Sequence, residues 1–280
     1  MPYLCTHLAF GTRVASATGA PTPLPGDAYL LGCLGPDVYF FDRLPPTPFV
    51  PHQKKHGNAL HALDSDTLFS ALKDAADDSL KPYLRGFLTH IALDSVVHPY
   101  IEAKHRGIDH TRFEGVIDSI VYEQTKADVP YEAYLKHKQD VSAIDALLSD
   151  VSETLCRKNV RGAYRRSAKK FFRLAPVLFD PRGKRYRFLN GIERAIHKDG
   201  LLSAFLLAAP RKDDEDCMNR SRAPWRSPWT PDVERNESVP MLIAEAETLA
   251  VELIRAYDAN DRATLRRLLK GRTMQKGMLP

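Results

Sequence analysis

In GFLTHIALDSVVHPYI, His90, Asp94 and His98 stand four residues apart. In a helix each such step advances ~400°, so all three side chains project from one face within ~80° of arc. HTRFEGVIDSIVY repeats the spacing with His110, Glu114 and Asp118. Neutral imidazole and ionised carboxylate together make the ligand set of borderline divalent metals, zinc above all. Two such helices side by side offer six metal-binding side chains to one pocket. A single His-x-x-x-Asp on an exposed helix is worth only tenths of a kcal/mol as an i,i+4 pair. Here Asp94 stands among Ile91, Leu93, Val96 and Val97. A histidine and an aspartate in such apolar company are costly unless a metal or hydrogen bonds satisfy them. Eight of the ten histidines precede residue 111, adding His7, His52, His56, His61 and His105 to the three above.

The elements that must hold these residues read as helices. Ser65 can cap a helix to about Asp78 carrying Leu68, Phe69 and Leu72, and a stronger one runs from Lys81 to about His98, where Pro99 bends the chain. A third spans about His110 to Lys126, with Phe113, Ile117, Ile120 and Val121 inward. Further helical patterns lie at about 142–158, 161–174, 189–207, 240–258 and 261–270. Residues 21–51 hold eight of the twenty prolines around a short apolar segment from Ala28 to Phe41, an irregular loop with at most one short helix. A second proline-rich loop covers 210–240. No alternating β-branched run suggests a sheet, and no repeat is visible. The expected fold is all-α: a single-domain helical bundle over 1–280 with a metal cluster between core helices and proline-rich loops.

Composition narrows the class. The chain has 280 residues, 44% hydrophobic and 27% charged, the balance of a folded domain. No stretch approaches ~18 uninterrupted apolar residues, so no transmembrane segment is expected. The N-terminal residues lack a basic stretch followed by a clean apolar core. Cys5, Cys33, Cys156 and Cys217 lie far apart, with neither a disulfide framework nor a thiolate zinc motif. These features point to a reduced, cytoplasmic protein. No serine-elbow motif and no G-x-x-x-x-G-K loop is present.

The order His7, Gly35-Pro36-Asp37, a histidine within 56–61, His90-x3-Asp94-x3-His98-Pro99 and His110-x3-Glu114-x3-Asp118 resembles the zinc-dependent phospholipase C family. That superfamily also holds zinc nucleases acting on single-stranded nucleic acid. The resemblance covers roughly residues 1–120 and extends in character to NRSRAPWRSPWTPDVERNES. It implies a cluster of two or three zinc ions. Asp37, a histidine of the 56–61 segment, His90 and Asp94 would hold one, and His98, His110 and Glu114 another. His7 and a bridging Asp94 would contribute to a third. His61 is preferred over His56, with His52 third, because it sits just ahead of a helix N-terminus. Asp118 is expected behind the ligands, orienting a ligand histidine. In secreted members the free amino end is itself a ligand. This chain shows no cleavable signal, so its third site is expected to be weaker, filled by other groups, or absent.

Clustered divalent ions of this kind lower the pKa of a bound water toward ~7 and bind phosphate oxygens. The resemblance therefore implies hydrolysis of a phosphoester, most naturally a phosphodiester, with Asp37 doubling as ligand and general base. Phospholipid, nucleic acid and small phosphodiesters all stand as substrates. A nuclease of the same superfamily and a non-catalytic, metal-stapled module that binds lipid or protein are the alternatives. A di-iron bundle is a further rival, because Glu102-x-x-His105 has the required i,i+3 spacing, but Glu193-x3-His197 does not.

Residues 157–187 carry twelve Lys/Arg against one acidic residue, Asp180, a local charge of +11. Tyr164, Phe171, Phe172 and Tyr186 are interleaved. The segment reads either as a landing strip for nucleic acid or anionic lipid, or as a solvated helix face whose aromatics pack inward.

Overall fold

Where apolar side chains recur every three to four residues the chain coils into helices, and a computed structural model describes them over residues 4–43, 54–105, 108–158, 160–197, 200 and 202–279. In chain order the α-helices are α1 (Leu4–Ala17), α2 (Ala28–Leu34), α3 (Lys54–Ala62), α4 (Ser65–Ala75), α5 (Lys81–Lys104) and α6 (Ile108–Thr125). Then come α7 (Tyr131–Lys136), α8 (Ser142–Cys156), α9 (Ala163–Leu178), α10 (Lys184–Ala195), α11 (Val239–Asp258) and α12 (Arg262–Leu269). A 3₁₀ segment, Gly35–Arg43, continues α2. Extended structure among the described residues amounts to two antiparallel hairpins, β1 (Trp225–Arg226) with β2 (Glu234–Arg235) and β3 (Arg272–Thr273) with β4 (Gly277–Met278). The all-α expectation holds.

The centre of the bundle is α5. Its residues from Gly86 to Val97 are all buried, polar His90 and Asp94 included, so neighbours pack on every side. Helix α2 crosses it at two glycines. A Cβ on Gly32 would lie 2.1 Å from the Tyr83 carbonyl oxygen, and one on Gly86 would lie 2.1 Å from that of Tyr29. Only backbone against backbone fits there, and this contact sets the height of His90 against Gly35 and Asp37. Gly35, at φ 49°, turns the chain from α2 into the 3₁₀ segment, and a Cβ on it would meet the His90 ring. On other flanks α5 packs against α1, α6 and α11.

Several expected boundaries move. Helix α5 does not stop at His98 but runs through Pro99 to Lys104. Proline forfeits only the bond to the carbonyl four residues back, that of Ser95. Gly277 of β4 packs on Pro99 and on that carbonyl, and Arg272 donates to the Ser95 hydroxyl at 3.1 Å. The helix expected at 189–207 is α10 instead, ending at Ala195. His197 takes a left-handed φ of 53°, and the Glu193 carboxylate accepts the backbone N–H groups of Gly200, Leu202 and Ser203, which holds a turn where a helix was expected. Asp64, not Ser65, caps α4, accepting from Thr67 N at 3.0 Å. The proline-rich stretch contains the expected short helix, α2, which the 3₁₀ segment continues.

Candidate metal centre

Helices α1, α3, α5 and α6 and the 3₁₀ segment bring their polar side chains to one buried region. Asp37, His61, His90 and Asp94 form a group whose donor atoms all lie within 4.8 Å of one another, and His98, His110 and Glu114 form a second. In the first, His61 Nε2 stands 3.2 Å from Asp37 Oδ1 and 3.4 Å from Asp94 Oδ2. His90 Nε2 is 3.3 Å from Asp94 Oδ2 and 3.4 Å from His61 Nε2. Ligand atoms ~2.0–2.1 Å from one ion at tetrahedral angles are ~3.3–3.4 Å apart. Asp94 Oδ2 is buried with no hydrogen-bond partner among the described residues, although imidazoles surround it. An orphaned carboxylate oxygen amid nitrogens at tetrahedral-edge spacing fits a divalent ion.

The other Asp94 oxygen, Oδ1, faces His7 Nε2 at 3.1 Å, and Asp37 Oδ2 lies 3.8 Å from the same nitrogen. Each of the two carboxylates thus shows one oxygen to His61 and the other to His7. The His7 and His90 rings stack at 4.5 Å. In the second group Glu114 Oε1 sits 3.0 Å from His110 Nε2 and 3.5 Å from His98 Nε2. His98 Nδ1 is 3.6 Å from Asp94 Oδ2, which joins the two groups.

The imidazoles are turned from behind. Nδ1 of His61 donates to the Gly57 carbonyl at 2.8 Å, that of His90 to Cys33 O at 3.2 Å, and that of His98 to Met274 O at 3.0 Å. Each such bond points Nε2 into the cluster, where the neutral ring carries its lone pair. Glu102 Oε1 lies 3.4 Å from His110 Nδ1 and occupies the same position for that ring. Glu102 and His105 have the i,i+3 spacing of the rival di-iron motif. The two part company in the fold, because His105 Nε2 pairs with Glu215 at 2.7 Å. The backbone carbonyls leave no mark in the sequence. Glu102 could have been found, since it continues the four-residue steps of His90, Asp94 and His98 along α5.

Asp118 departs from expectation. It orients no histidine; its Oδ1 accepts from Thr6 N at 2.8 Å and from the Thr6 hydroxyl at 2.9 Å. It caps the N-terminal turn of α1 from a neighbouring helix, one residue from His7. The reason is axial position: Asp118 lies a turn beyond Glu114, at the level of the α1 N-terminus. His56 and His61 separate because five residues rotate them ~140° apart on α3. The His61 ring enters the cluster, and the half-buried His56 ring lies 6.1 Å from that of Tyr39. His61 is in the last turn of α3 and, as expected, just ahead of α4. His52 lies outside the described residues.

Charge follows this geometry. Burial alone would push an imidazole down, yet the Asp37 contact and the charges of Asp37 and Asp94 hold His61 up at about 10. His98, also against burial, is held at about 9 by Asp94 and Glu114. In His90 burial dominates and lowers it to about 4. Burial opposes ionisation of Asp37, but the His61 contact and nearby imidazole charge bring it down to about 2. Asp94 and Glu114 are likewise held well below the carboxylate range against their burial, by His90 and His98 for Asp94 and by His110 and His98 for Glu114. Asp118 behaves oppositely: burial raises it to about 6 despite the bonds from Thr6.

An all-α chain that gathers two joined His/carboxylate clusters around its central helix has the make-up of a helical metal-dependent hydrolase. Residues 6–159, just over half of the chain, match the family described as zinc dependent phospholipase C. The protein belongs to that family. Its candidate metal centre fits a metal-dependent, phospholipase-like activity on a phosphoester. The match ends ahead of the 219–238 loop, whose Trp225 packs edge-on against Tyr100 of α5 at 5.4 Å. No curated protein and no solved structure matches the chain. No helix among the described residues is long and apolar enough to cross a membrane.

Proposed function

We propose that this protein hydrolyses a phosphodiester, with phospholipid headgroups as the favoured substrate class, using two or three zinc-class ions. Asp37, His61, His90 and Asp94 would hold one ion, and His98, His110 and Glu114 a second. His7 with the remaining Asp94 oxygen would serve a third. The observation carrying this reading is the orphaned Asp94 Oδ2, flanked by two imidazole nitrogens at 3.3 and 3.4 Å whose rings are aimed by backbone carbonyls. Ions at such a centre polarise phosphoryl oxygens and make water a nucleophile near neutral pH.

The chain's own groups divide the remaining work. Asp37 is the most accessible carboxylate of its group, with a side-chain exposure of 15% against 3% for Asp94. It is ionised at neutral pH, which suits it to accept a proton from an attacking water as well as to bind metal. Glu102 steadies the His110 ring as a ligand. Asp118 anchors the α1 N-terminus and through it the position of His7. Cys5, Cys33 and Cys217 are unsuited as nucleophiles, because they are buried and burial pushes their thiols up.

The C-terminal segment belongs to the same domain in this reading, since Met274 orients His98 and α11 packs along α5. All four cysteines are free, which supports a reducing, cytoplasmic setting. The test is metal analysis of protein purified without added metal, then hydrolysis of generic phosphodiesters with and without chelator. Two or three zinc-class ions per chain and chelator-sensitive turnover are expected. Less than about one ion per chain, or turnover indifferent to complete metal removal, would refute the proposal.

A further inference from the structure

Helix α10 is built inside out. Its buried residue is Glu193, while Phe188 and Ile192 face solvent at 69% and 45% exposure. Ile196, just past its end, is 53% exposed, Val177 at the end of α9 58%, and Leu202 42%. These five are among the most exposed large apolar side chains of the described residues. Phe188, Ile192 and Ile196 follow at four-residue steps along one ridge. Arg185, in the first turn, donates to the Val177 carbonyl, and Glu193 accepts from Leu202 N, which sets Val177 and Leu202 beside the two ends of the helix. Soluble proteins rarely leave such an apolar row in water without a partner for it.

The surroundings state what that partner is. Lys184, Arg187 and Arg194 of the same helix are exposed and form no ion pair with a carboxylate among the described residues. On α9 the aromatics Tyr164, Phe171 and Phe172 are buried, and Arg165, Lys169 and Arg173 line its outer face at four-residue steps. The +11 segment is thus a solvated helix face over α9 and becomes an apolar ridge over α10, with Lys184 beside it and Arg187 and Arg194 lining a cavity that also holds Asp109, Asp214 and Glu215. An apolar face flanked by Lys and Arg is the design of a helix lying in the headgroup region of an anionic bilayer. Nucleic acid would be met by planar groups that stack, and this ridge is aliphatic but for Phe188. A second copy of the chain would oppose one basic surface with another.

We infer that α10, with Val177 and Leu202 at its ends, is a docking surface that lays this protein on anionic membranes. The inference is independent of the metal centre.

The test is co-sedimentation of the full chain with phosphatidylcholine vesicles with and without phosphatidylserine, at low and high salt. Binding to the anionic vesicles that weakens with salt is expected. Phe188→Ser with Ile192→Ser should lower it by at least ~10-fold, since burying such side chains is worth a few kcal/mol. Lys184→Gln and Arg194→Gln should each cost about fivefold. All four positions are exposed, so the variants should melt with the parent. Their hydrolysis of a soluble phosphodiester, bis(p-nitrophenyl) phosphate, should be unchanged. That readout separates the two proposals, because vesicle binding can fail while soluble turnover persists, and the reverse. Absence of vesicle binding, or equal binding by the serine variant, overturns the inference. So does binding of a single-stranded oligonucleotide in place of vesicles, or self-association by light scattering that the serine variant abolishes.

Discussion

Metal loading should release protons, and the count follows from the site. In the metal-free protein at neutral pH, His61 (held at about 10) and His98 (held at about 9) are protonated, one in each group. His90, lowered to about 4, is already neutral. An imidazole must shed its proton to bind through Nε2, so each group gives up one proton per ion. Below the pKa of its histidine, the apparent affinity of each group should rise about tenfold per pH unit. Between pH 6.5 and 8.5 that is about 100-fold, or about 2.7 kcal/mol. Competition titration against a calibrated zinc chelator measures the slope. Calorimetry in buffers of different ionisation heat counts the protons. Stability of the chelated protein should run the other way. A histidine whose folded pKa exceeds its unfolded value stabilises below about 6.5, and that contribution is lost as pH climbs toward 9 and 10. The chelated protein should therefore melt below the loaded one, with a gap that widens as pH rises. A pH-independent affinity with no proton release would refute the reasoning, because Asp37 and Asp94 would then not be holding His61 charged.

Four substitutions test the division of labour and the packing behind it. Asp94→Asn should abolish phosphodiester hydrolysis and lose at least one ion, whereas Asp118→Asn should keep most of the metal and cost ~10–100-fold in activity or affinity. Since burial raises Asp118 to about 6, the wild type loses stability relative to the Asn variant as pH rises from about 4 to 7; helical content must be checked first for both variants. The assignment fails if Asp118→Asn strips the metal and Asp94→Asn does not. Glu102→Gln should weaken zinc binding by ~10–100-fold without changing the chelated protein's melting point, and unchanged affinity would remove its role behind His110. Gly86→Ala should destabilise by about 1–3 kcal/mol or more, because its Cβ would meet the Tyr29 carbonyl at 2.1 Å; an unshifted thermal transition would show that α2 and α5 can part without loss.

What could be read along the chain is what one helix decides by itself. The four-residue steps of His90, Asp94 and His98, and of His110, Glu114 and Asp118, share a face whatever the fold around them, so their clustering and the helical class were legible. The order of those groups also carried the family resemblance. Contacts between segments were not legible, because they depend on where helices cross. Asp118 has the same spacing from Glu114 as Glu114 has from His110, yet height along α6 sends it to Thr6 rather than to a histidine. His61 and His56 have equal chemistry, and only the rotation of α3 against the Gly35–Arg43 segment separates them. The carbonyls of Gly57, Cys33 and Met274 that aim three imidazoles belong to no residue type, and the last comes from the far end of the chain. Pro99 marks a helix end in isolation, but the β4 hairpin packs over the carbonyl it frees and α5 continues. Composition located the basic segment, while burial alone decided which aromatics turned inward and which apolar side chains α10 left in water.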